Sequence, residues 1–137
     1  MSHSILVADD EDGNRSAVRR VLERDGHTVF EAKDGQEAVR MLQDQNPSLL
    51  ITDLKMPKLN GLELLRAAKQ LLPDLGVIIM TAYGSVETAV EAMKNGASDF
   101  IAKPLHRAEL IRSVRSVLEK HALSVENRQL RKELAQL

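Results

Sequence analysis

Five short apolar runs recur along the chain, and each is followed by a longer stretch whose apolar residues repeat with helical spacing. The runs occupy residues 5–8, 28–30, 49–52, 77–80 and 100–102. They are continuous rather than alternating, which is typical of strands that are buried on both faces of a parallel sheet. The pattern therefore predicts five strands, with a helix after each one.

Start and stop signals support these predicted helices. Asp34 and Ser85 are expected N-caps, since their short side chains can accept a hydrogen bond from the first helical turn. Alternating strands and helices predict a flavodoxin-like, doubly wound α/β fold with strand order 2-1-3-4-5, on which ligands bind beyond the carboxyl ends of the strands. The expected helix stops are Gly26, Asn46-Pro47, Pro73 and Asn95-Gly96.

The last stretch, residues 107–137, contains no Gly or Pro and predicts a single long helix. Leu123, Leu130 and Leu137 repeat every seven residues, with Asn127 and Leu134 between them. As heptads, the three leucines take position d and the other two take position a, which predicts the start of a coiled coil. The alternative is a solvated tail helix. We therefore predict a domain over residues 1–121 and a linker helix over residues 122–137.

Composition narrows the possible functions. The net charge of -1 and an aromatic content of 2% argue against direct nucleic-acid binding, which favours a basic surface and aromatic side chains. The absence of cysteine excludes disulfides, thiolate metal sites and cysteine nucleophiles. No secretory signal or membrane span is visible, so a cytoplasmic location is expected.

Polar residues stand where four of the predicted strands end. Asp9-Asp10 follow the first strand, Asp53 the third, Thr81 the fourth and Lys103-Pro104 the fifth. In the expected strand order these residues meet at one crevice. Clustered carboxylates repel one another, and Mg²⁺, which prefers oxygen ligands, relieves that repulsion. A carboxylate can attack phosphorus, while a lysine and a hydroxyl stabilise the transferring group.

This set of residues, in this order, resembles the receiver domains of two-component response regulators over roughly residues 3–121. The resemblance implies that Asp53 is the phosphoacceptor. It implies that Asp9 and Asp10, together with the backbone carbonyl of Lys55, bind Mg²⁺ beside Asp53. It also implies a sensor histidine kinase as the partner. Met56-Pro57 and Asn60-Gly61 follow the pattern of the family's loop after the acceptor.

The same resemblance assigns the switch residues. Thr81 matches the switch hydroxyl, Lys103 the phosphate-binding lysine, and a cis bond is implied between Lys103 and Pro104. Phe100 falls at the family's switch aromatic, although an aromatic residue on a strand is more often part of a core. Tyr83 is a candidate for controlling the access of water to the acyl phosphate, and hence autodephosphorylation.

Within the family, two segments are similar to the NtrC-like activators of sigma-54 RNA polymerase. The first comprises Thr81-Ala82-Tyr83-Gly84 and residues 86–90; the second comprises Glu126-Asn127 with Leu130. Such proteins continue into an AAA+ ATPase and a DNA-binding domain, so the chain is expected to be a regulatory fragment. The implied output is transcriptional control through a homodimer that forms by helix 4, strand 5, helix 5 and the C-terminal helix.

The same residues allow three alternative interpretations. A non-catalytic receiver-like dimerisation module would not need the complete acidic set. A phosphatase of the haloacid dehalogenase type would have a second aspartate two residues after the nucleophile, where this chain has Lys55. A flavodoxin would have a hydroxyl-rich loop after strand one, whereas the loop here is acidic and would repel a flavin phosphate.

Overall fold

The computed structural model describes residues 3–81 and 86–137. Strands and helices alternate strictly along the chain, as predicted. The strands are β1 (Ser4–Ala8), β2 (Thr28–Ala32), β3 (Leu49–Asp53), β4 (Gly76–Thr81) and β5 (Asp99–Ala102). The helices are α1 (Asp12–Arg24), α2 (Gly35–Gln45), α3 (Gly61–Leu71), α4 (Val86–Lys94) and α5 (Arg107–Ala135).

All strand pairs are parallel, and the sheet order is β2-β1-β3-β4-β5. The predicted flavodoxin-like fold and strand order are therefore confirmed. Because every strand runs in the same direction, all five carboxyl ends lie along one edge of the sheet. The order reverses between β1 and β3, which is where ligands bind in this class of fold.

Successive side chains of each strand point to opposite faces of the sheet, so each strand supplies two cores. Leu6 and Leu50 pack against α2 and α3, whereas Ile5 and Ile51 pack against α1 and α5. Burying one such side chain contributes about 1.5–3 kcal/mol, so these layers hold the strands in place. The strand ends are consequently free to carry polar residues.

Local signals set the helix boundaries. Asp34 caps α2 by accepting a hydrogen bond from the Glu37 backbone N–H at 2.8 Å, as predicted. Asn60 and Glu63 form a reciprocal capping box at the start of α3 that the sequence reasoning did not identify. The predicted cap Ser85 lies outside the described residues.

The long C-terminal helix is also confirmed, since α5 runs for 29 residues. Its first half packs on the sheet through Leu110, Val114 and Val117. Its second half carries exposed leucines, including Leu123 and Leu130. The coiled-coil pairing of this half, and the division at residue 121, stay predictions. In the described part of the chain, no helix is both long enough and apolar enough to cross a membrane.

Candidate functional site

The carboxyl edge of the sheet brings the predicted polar residues together. Asp53 ends β3 beside Met80 of β4, and Thr81 ends β4 beside Ala102 of β5. Asp9 directly follows β1, the neighbour of β3 on its other side. The regular parallel register therefore places these side chains at one point, without any contribution from a long loop.

The distances in this cluster are short. Lys103 Nζ donates a hydrogen bond to Asp53 Oδ2 at 2.9 Å and lies 3.7 Å from Asp9 Oδ2. Oxygens of Asp9, Asp10 and Asp53 all lie within 4.8 Å of one another. One ammonium group thus faces three carboxylates, which leaves an excess of negative charge at the site.

Asp9 is the most enclosed of the three acids, with 0% of its surface exposed. Its Oδ1 accepts a hydrogen bond from the Glu11 backbone N–H at 2.9 Å. Its Oδ2 accepts no hydrogen bond from any residue that the structure describes. Burial raises the pKa of Asp9, and the neighbouring carboxylates add to that rise. A buried, incompletely bonded carboxylate oxygen favours a bound cation.

Lys103 is the cation that balances part of this charge. Burial alone would lower its pKa, but the hydrogen bond to Asp53 and the charges of Asp53 and Asp9 outweigh burial and raise it. The amine therefore stays protonated at neutral pH. A positive charge therefore remains beside Asp53 at neutral pH, whichever ligand enters the site.

Asp53 opens into a cleft of about 590 Å³. Its lining combines the apolar side chains of Leu54, Met56 and Leu62 with the charged side chains of Asp10 and Lys103. Lys55, Asn60 and Thr88 also line the cleft. Sequence reasoning did not assign Asn60 or Thr88 to the site. The signal for Asn60 is its capping position directly before Gly61.

Gly61 explains how α3 approaches the acceptor strand so closely. A Cβ atom on Gly61 would lie 2.5 Å from the carbonyl oxygen of Asp53, which is too close for any other residue. The Gly61 N–H donates to the Leu54 carbonyl at 2.9 Å and fixes the start of the loop. The absence of a side chain at Gly61 therefore shapes the floor of the cleft.

The donor set fits Mg²⁺. The side-chain atoms that could bind a metal ion here are carboxylate oxygens, which a hard divalent cation prefers. The described cluster contains no thiolate and no imidazole. Asp9 supplies a buried oxygen without a hydrogen-bond donor in the described chain. Asp10 is exposed, so solvent can reach the same point. Mg²⁺ usually keeps several waters, which such an open position allows.

The remaining predicted residues differ in how they are placed. Thr81 is buried, with 4% of its surface exposed, and its carbonyl accepts a hydrogen bond from the Lys103 N–H at 2.8 Å. The Lys103-Pro104 bond is cis, as the resemblance implied. Phe100 is 45% exposed on the edge strand β5, so it is not a core residue here. Tyr83 lies outside the described residues.

Arg15 is a contact residue that sequence reasoning missed. It lies on α1, and its guanidinium donates a hydrogen bond to the Asp9 carbonyl at 2.7 Å. Its side chain is only 14% exposed, which is low for an arginine on a surface helix. The only signal in the sequence is its position in the first turns of the helix that follows Asp9-Asp10.

Taken together, the structure is a doubly wound α/β domain with a cluster of carboxylates at the point where the strand order reverses. Residues 5–115 match the response regulator receiver domain family, and the chain belongs to that family. The family expected from the strand-end residues is thus confirmed.

Individual relatives agree. The chain is 39% identical to the C4-dicarboxylate transport transcriptional regulatory protein DctD of Rhizobium meliloti, over 94% of this chain and 28% of that protein. It is 38% identical to the response regulator MprA of Mycobacterium ulcerans, over 90% of this chain and 53% of that protein. The chain thus spans about a quarter to a half of the length of these relatives.

Solved structures give the same result. NtrX from Brucella abortus superposes with a TM-score of 0.91 at 36% identity, covering 95% of this chain and 30% of NtrX. A response regulator receiver domain from Clostridium thermocellum superposes with a TM-score of 0.85 at 34% identity, covering 88% of this chain and 98% of that chain. The likeness to NtrC-like regulators is confirmed by the matches to DctD and NtrX.

Proposed function

We propose that Asp53 accepts a phosphoryl group from the phosphohistidine of a sensor histidine kinase. The N–P bond of the phosphohistidine breaks as an O–P bond to an Asp53 carboxylate oxygen forms. The bonding electrons return to the imidazole nitrogen, which takes up a proton. The product is an acyl phosphate on Asp53. The observation that carries this proposal is the 2.9 Å pair between Lys103 Nζ and Asp53 Oδ2 within a cluster of three carboxylates.

The surrounding residues would reduce the charge that opposes transfer. Asp9, Asp10 and Asp53, with the Lys55 carbonyl, would hold Mg²⁺, which supplies Lewis-acid charge to phosphoryl oxygens when bound. Lys103 supplies a second positive charge from the other side, and the Thr81 hydroxyl can donate a hydrogen bond. Transfer of this kind depends mainly on positioning and electrostatics.

The proposed response begins with Thr81 and Lys103 moving toward the new phosphoryl oxygens. Phe100, exposed on β5, would then turn inward beside Thr81. Tyr83 and Pro104 are the other predicted switch residues. Val90 and Met93 are exposed on α4, next to the face that would change. The shift is a change in population between two packings, and its size is limited by the difference in phosphate contacts.

Phosphorylation of a variant tests the acceptor assignment. The chain is incubated with Mg²⁺ and acetyl phosphate, and intact-mass spectrometry measures the phosphorylated fraction. Asp53→Asn should abolish incorporation, because the amide cannot act as the nucleophile. Asp44→Asn, which changes an exposed carboxylate on α2, should be labelled like the wild type.

Two outcomes would contradict this function. Phosphorylation of the Asp53→Asn variant would show that another residue is the acceptor. The non-catalytic dimerisation module would be favoured if the wild-type chain takes no label and if its circular dichroism spectrum does not change when beryllofluoride and Mg²⁺ are added.

We further propose that the chain forms a homodimer through α4, β5 and α5, including the exposed half of α5. Since a helix has about 3.6 residues per turn, Leu123, Leu130 and Leu134 share one side of α5. They are 60%, 50% and 68% exposed. His121 and Arg128, which contact the domain, lie on the opposite side. The leucines are therefore free to contact a second copy. In a longer protein, this dimer would control transcription from sigma-54 promoters.

Sedimentation velocity tests the dimer. Leu130→Glu should weaken association by at least about 10-fold, because two leucine side chains lose their burial in each dimer. Gln129→Glu adds the same charge next to the leucine side of the helix and should have little effect. Beryllofluoride with Mg²⁺ should shift the dimer population of the wild type but not of Asp53→Asn. Equal association of the Leu130→Glu and wild-type chains would refute the proposed contact.

A further inference from the structure

We infer that Arg15 is a positioning residue for the predicted Mg²⁺ ligands Asp9 and Asp10, and that it acts by holding the peptide group between them. This inference rests on the proposed function, since it concerns how the same site would bind Mg²⁺. It adds a residue that neither the strand-end pattern nor the cleft lining includes.

Arg15 binds the loop through its backbone rather than through the acids themselves. One guanidinium nitrogen, Nη1, donates to the Asp9 carbonyl oxygen at 2.7 Å. That oxygen belongs to the peptide plane that joins Asp9 to Asp10. Fixing the plane therefore fixes the positions of the Asp10 N and Cα atoms, from which its side chain departs.

Asp10 needs such support more than Asp9 does. Asp9 is buried, its N–H donates to the Ala32 carbonyl at 3.1 Å, and its Oδ1 is bonded to the Glu11 N–H. Asp10 is exposed and lies two residues after the last residue of β1, beyond the ladder of the sheet. Its orientation toward the other carboxylates depends on the loop backbone that Arg15 holds.

Arg15 is itself held from two other directions. Its Nε donates to Glu31 Oε1 at 3.2 Å, and its Nη2 donates to Asp12 Oδ1 at 2.6 Å. Glu31 lies within β2, paired with Val7 of β1, so the anchor is part of the rigid sheet. The guanidinium thus connects the sheet, the first turn of α1 and the segment Asp9-Asp10, which is called the metal loop below.

This arrangement matches the way outer residues support metal ligands. A group that orients a ligand without touching the metal commonly changes metal affinity by about 10- to 100-fold when it is removed. The positive charge of Arg15 by itself opposes the binding of a cation, so the expected weakening comes from release of the loop backbone. Loss of Arg15 should therefore weaken Mg²⁺ binding only if the hydrogen bond to the Asp9 carbonyl positions the loop.

Arg19 provides a matched control. It lies one turn later on α1 and donates to the same partner, Glu31 Oε2, at 2.7 Å. Among the described residues, its recorded polar partners are Glu31 and Glu23, neither of which belongs to the metal loop. Arg15→Gln and Arg19→Gln each remove one charge and one Glu31 contact, but only the first releases the Asp9 carbonyl.

The test is isothermal titration of Mg²⁺ into the wild type and both variants, with the Tm of each metal-free chain measured in parallel. Arg15→Gln should raise the Mg²⁺ Kd about 10-fold, whereas Arg19→Gln should change it less than about 2-fold. Arg15→Gln also removes the hydrogen bond to Asp12, so its metal-free chain should have the lower Tm. The Kd values are therefore measured well below both Tm values, where both variants are folded.

The failures are distinguishable. If the wild type binds Mg²⁺ and both variants bind it equally well, the positioning role of Arg15 is wrong while the proposed metal site stands. If the Mg²⁺ Kd rises equally in Arg15→Gln and Arg19→Gln, the cause is the lost Glu31 contact or a general loss of stability. The positioning role of Arg15 is then also wrong. If the wild type binds no Mg²⁺, the proposed function has failed at its metal site and this inference falls with it.

Discussion

The acidic side chains at the two edges of the sheet have different surroundings and opposite pKa shifts. At the carboxyl edge, Asp9, Asp10 and Asp53 lie together, and burial raises the pKa of Asp9. At the amino edge, Asp25 and Asp74 stand apart, and each accepts hydrogen bonds from an arginine of α5. The bond from Arg115 lowers the pKa of Asp25, and the bonds from Ser124 and Arg128 lower the pKa of Asp74.

The difference separates acids that stabilise the fold from acids that are arranged for a ligand. A carboxylate with a lowered pKa is more favourable in the folded chain than in the unfolded chain, so it contributes stability at neutral pH. Carboxylates that crowd one another reduce stability until a cation binds between them. Functional sites often sacrifice stability in this way.

Asp74 shows what the amino edge achieves. It precedes β4, accepts from Ser124 Oγ at 2.7 Å and from Arg128 Nε at 2.8 Å, and its carbonyl oxygen lies 2.8 Å from His121 Nδ1. These partners are on one side of α5. The contact therefore fixes the rotation of the helix and directs its leucines away from the domain.

The largest effect that would sharpen this comparison is expected for Asp9→Asn. Removing one buried carboxylate should raise the Mg²⁺ Kd by at least about 10-fold, because a charged ligand is lost. The metal-free chain should be more stable, by roughly 0.5–2 kcal/mol, because a buried and incompletely bonded charge is removed. Calorimetric titration and urea unfolding in EDTA measure the two quantities.

Asp44→Asn, an exposed change on α2, serves as the control and should alter neither quantity. A metal-free Asp9→Asn chain that is clearly less stable than the wild type would break the comparison. It would mean that the acids of the carboxyl edge also hold the fold together.

Asp74→Asn should have a smaller effect with the opposite sign. The amide keeps the shape of the side chain but loses the charge that attracts Arg128, so the Tm should fall by about 2–4 °C at pH 7. Mg²⁺ affinity should not change, because the site lies at the other edge of the sheet. Thermal unfolding followed by circular dichroism measures the first, and calorimetry the second.

Asp44→Asn is again the matched control, since it removes an exposed carboxylate that is far from α5 in the sequence. If Asp74→Asn left the Tm unchanged, the contact between the α3–β4 loop and α5 would not stabilise the fold. The fixed rotation of the leucines would then lose its support.

Sequence reasoning succeeded where a local pattern determines the result. Continuous apolar runs predicted the parallel strands, and the residue after each run predicted which side chains meet. Because β3 and β5 flank β4 and end at the same edge, the side chains of Asp53 and Lys103 can meet there. The sequence therefore sufficed for the fold and for the convergence of the predicted side chains.

Other contacts depend on tertiary geometry that no short pattern encodes. Arg15 reaches Asp9 because α1 turns back along β1 and β2, and Asp74 meets Arg128 across 54 residues of chain. Phe100 is exposed because β5 is an edge strand, which the predicted strand order already implied. A single long-range arginine contact leaves no periodic signal, so these partners could not be identified in advance.

The smallest expected effect concerns Arg115, which forms a two-point contact with Asp25. Its Nη2 lies 2.6 Å from Oδ1 and its Nε lies 3.2 Å from Oδ2, and this contact is the main cause of the lowered pKa of Asp25. Arg115 is 67% exposed, so water screens the pair and limits its contribution. Arg115→Gln should lower the Tm by no more than about 2 °C at pH 7.

The pH dependence of this small effect gives the sharper test. Because the folded pKa of Asp25 lies below the unfolded value of about 4, the stabilisation is complete above that value and is lost as pH falls through the folded pKa. The Tm difference between Arg115→Gln and the wild type should therefore be constant from neutral pH to about pH 5 and shrink below about pH 4. A difference that persisted unchanged in acid would show that Arg115 acts through packing of its alkyl chain. The amino edge would then owe its stability to apolar contact and not to paired charge.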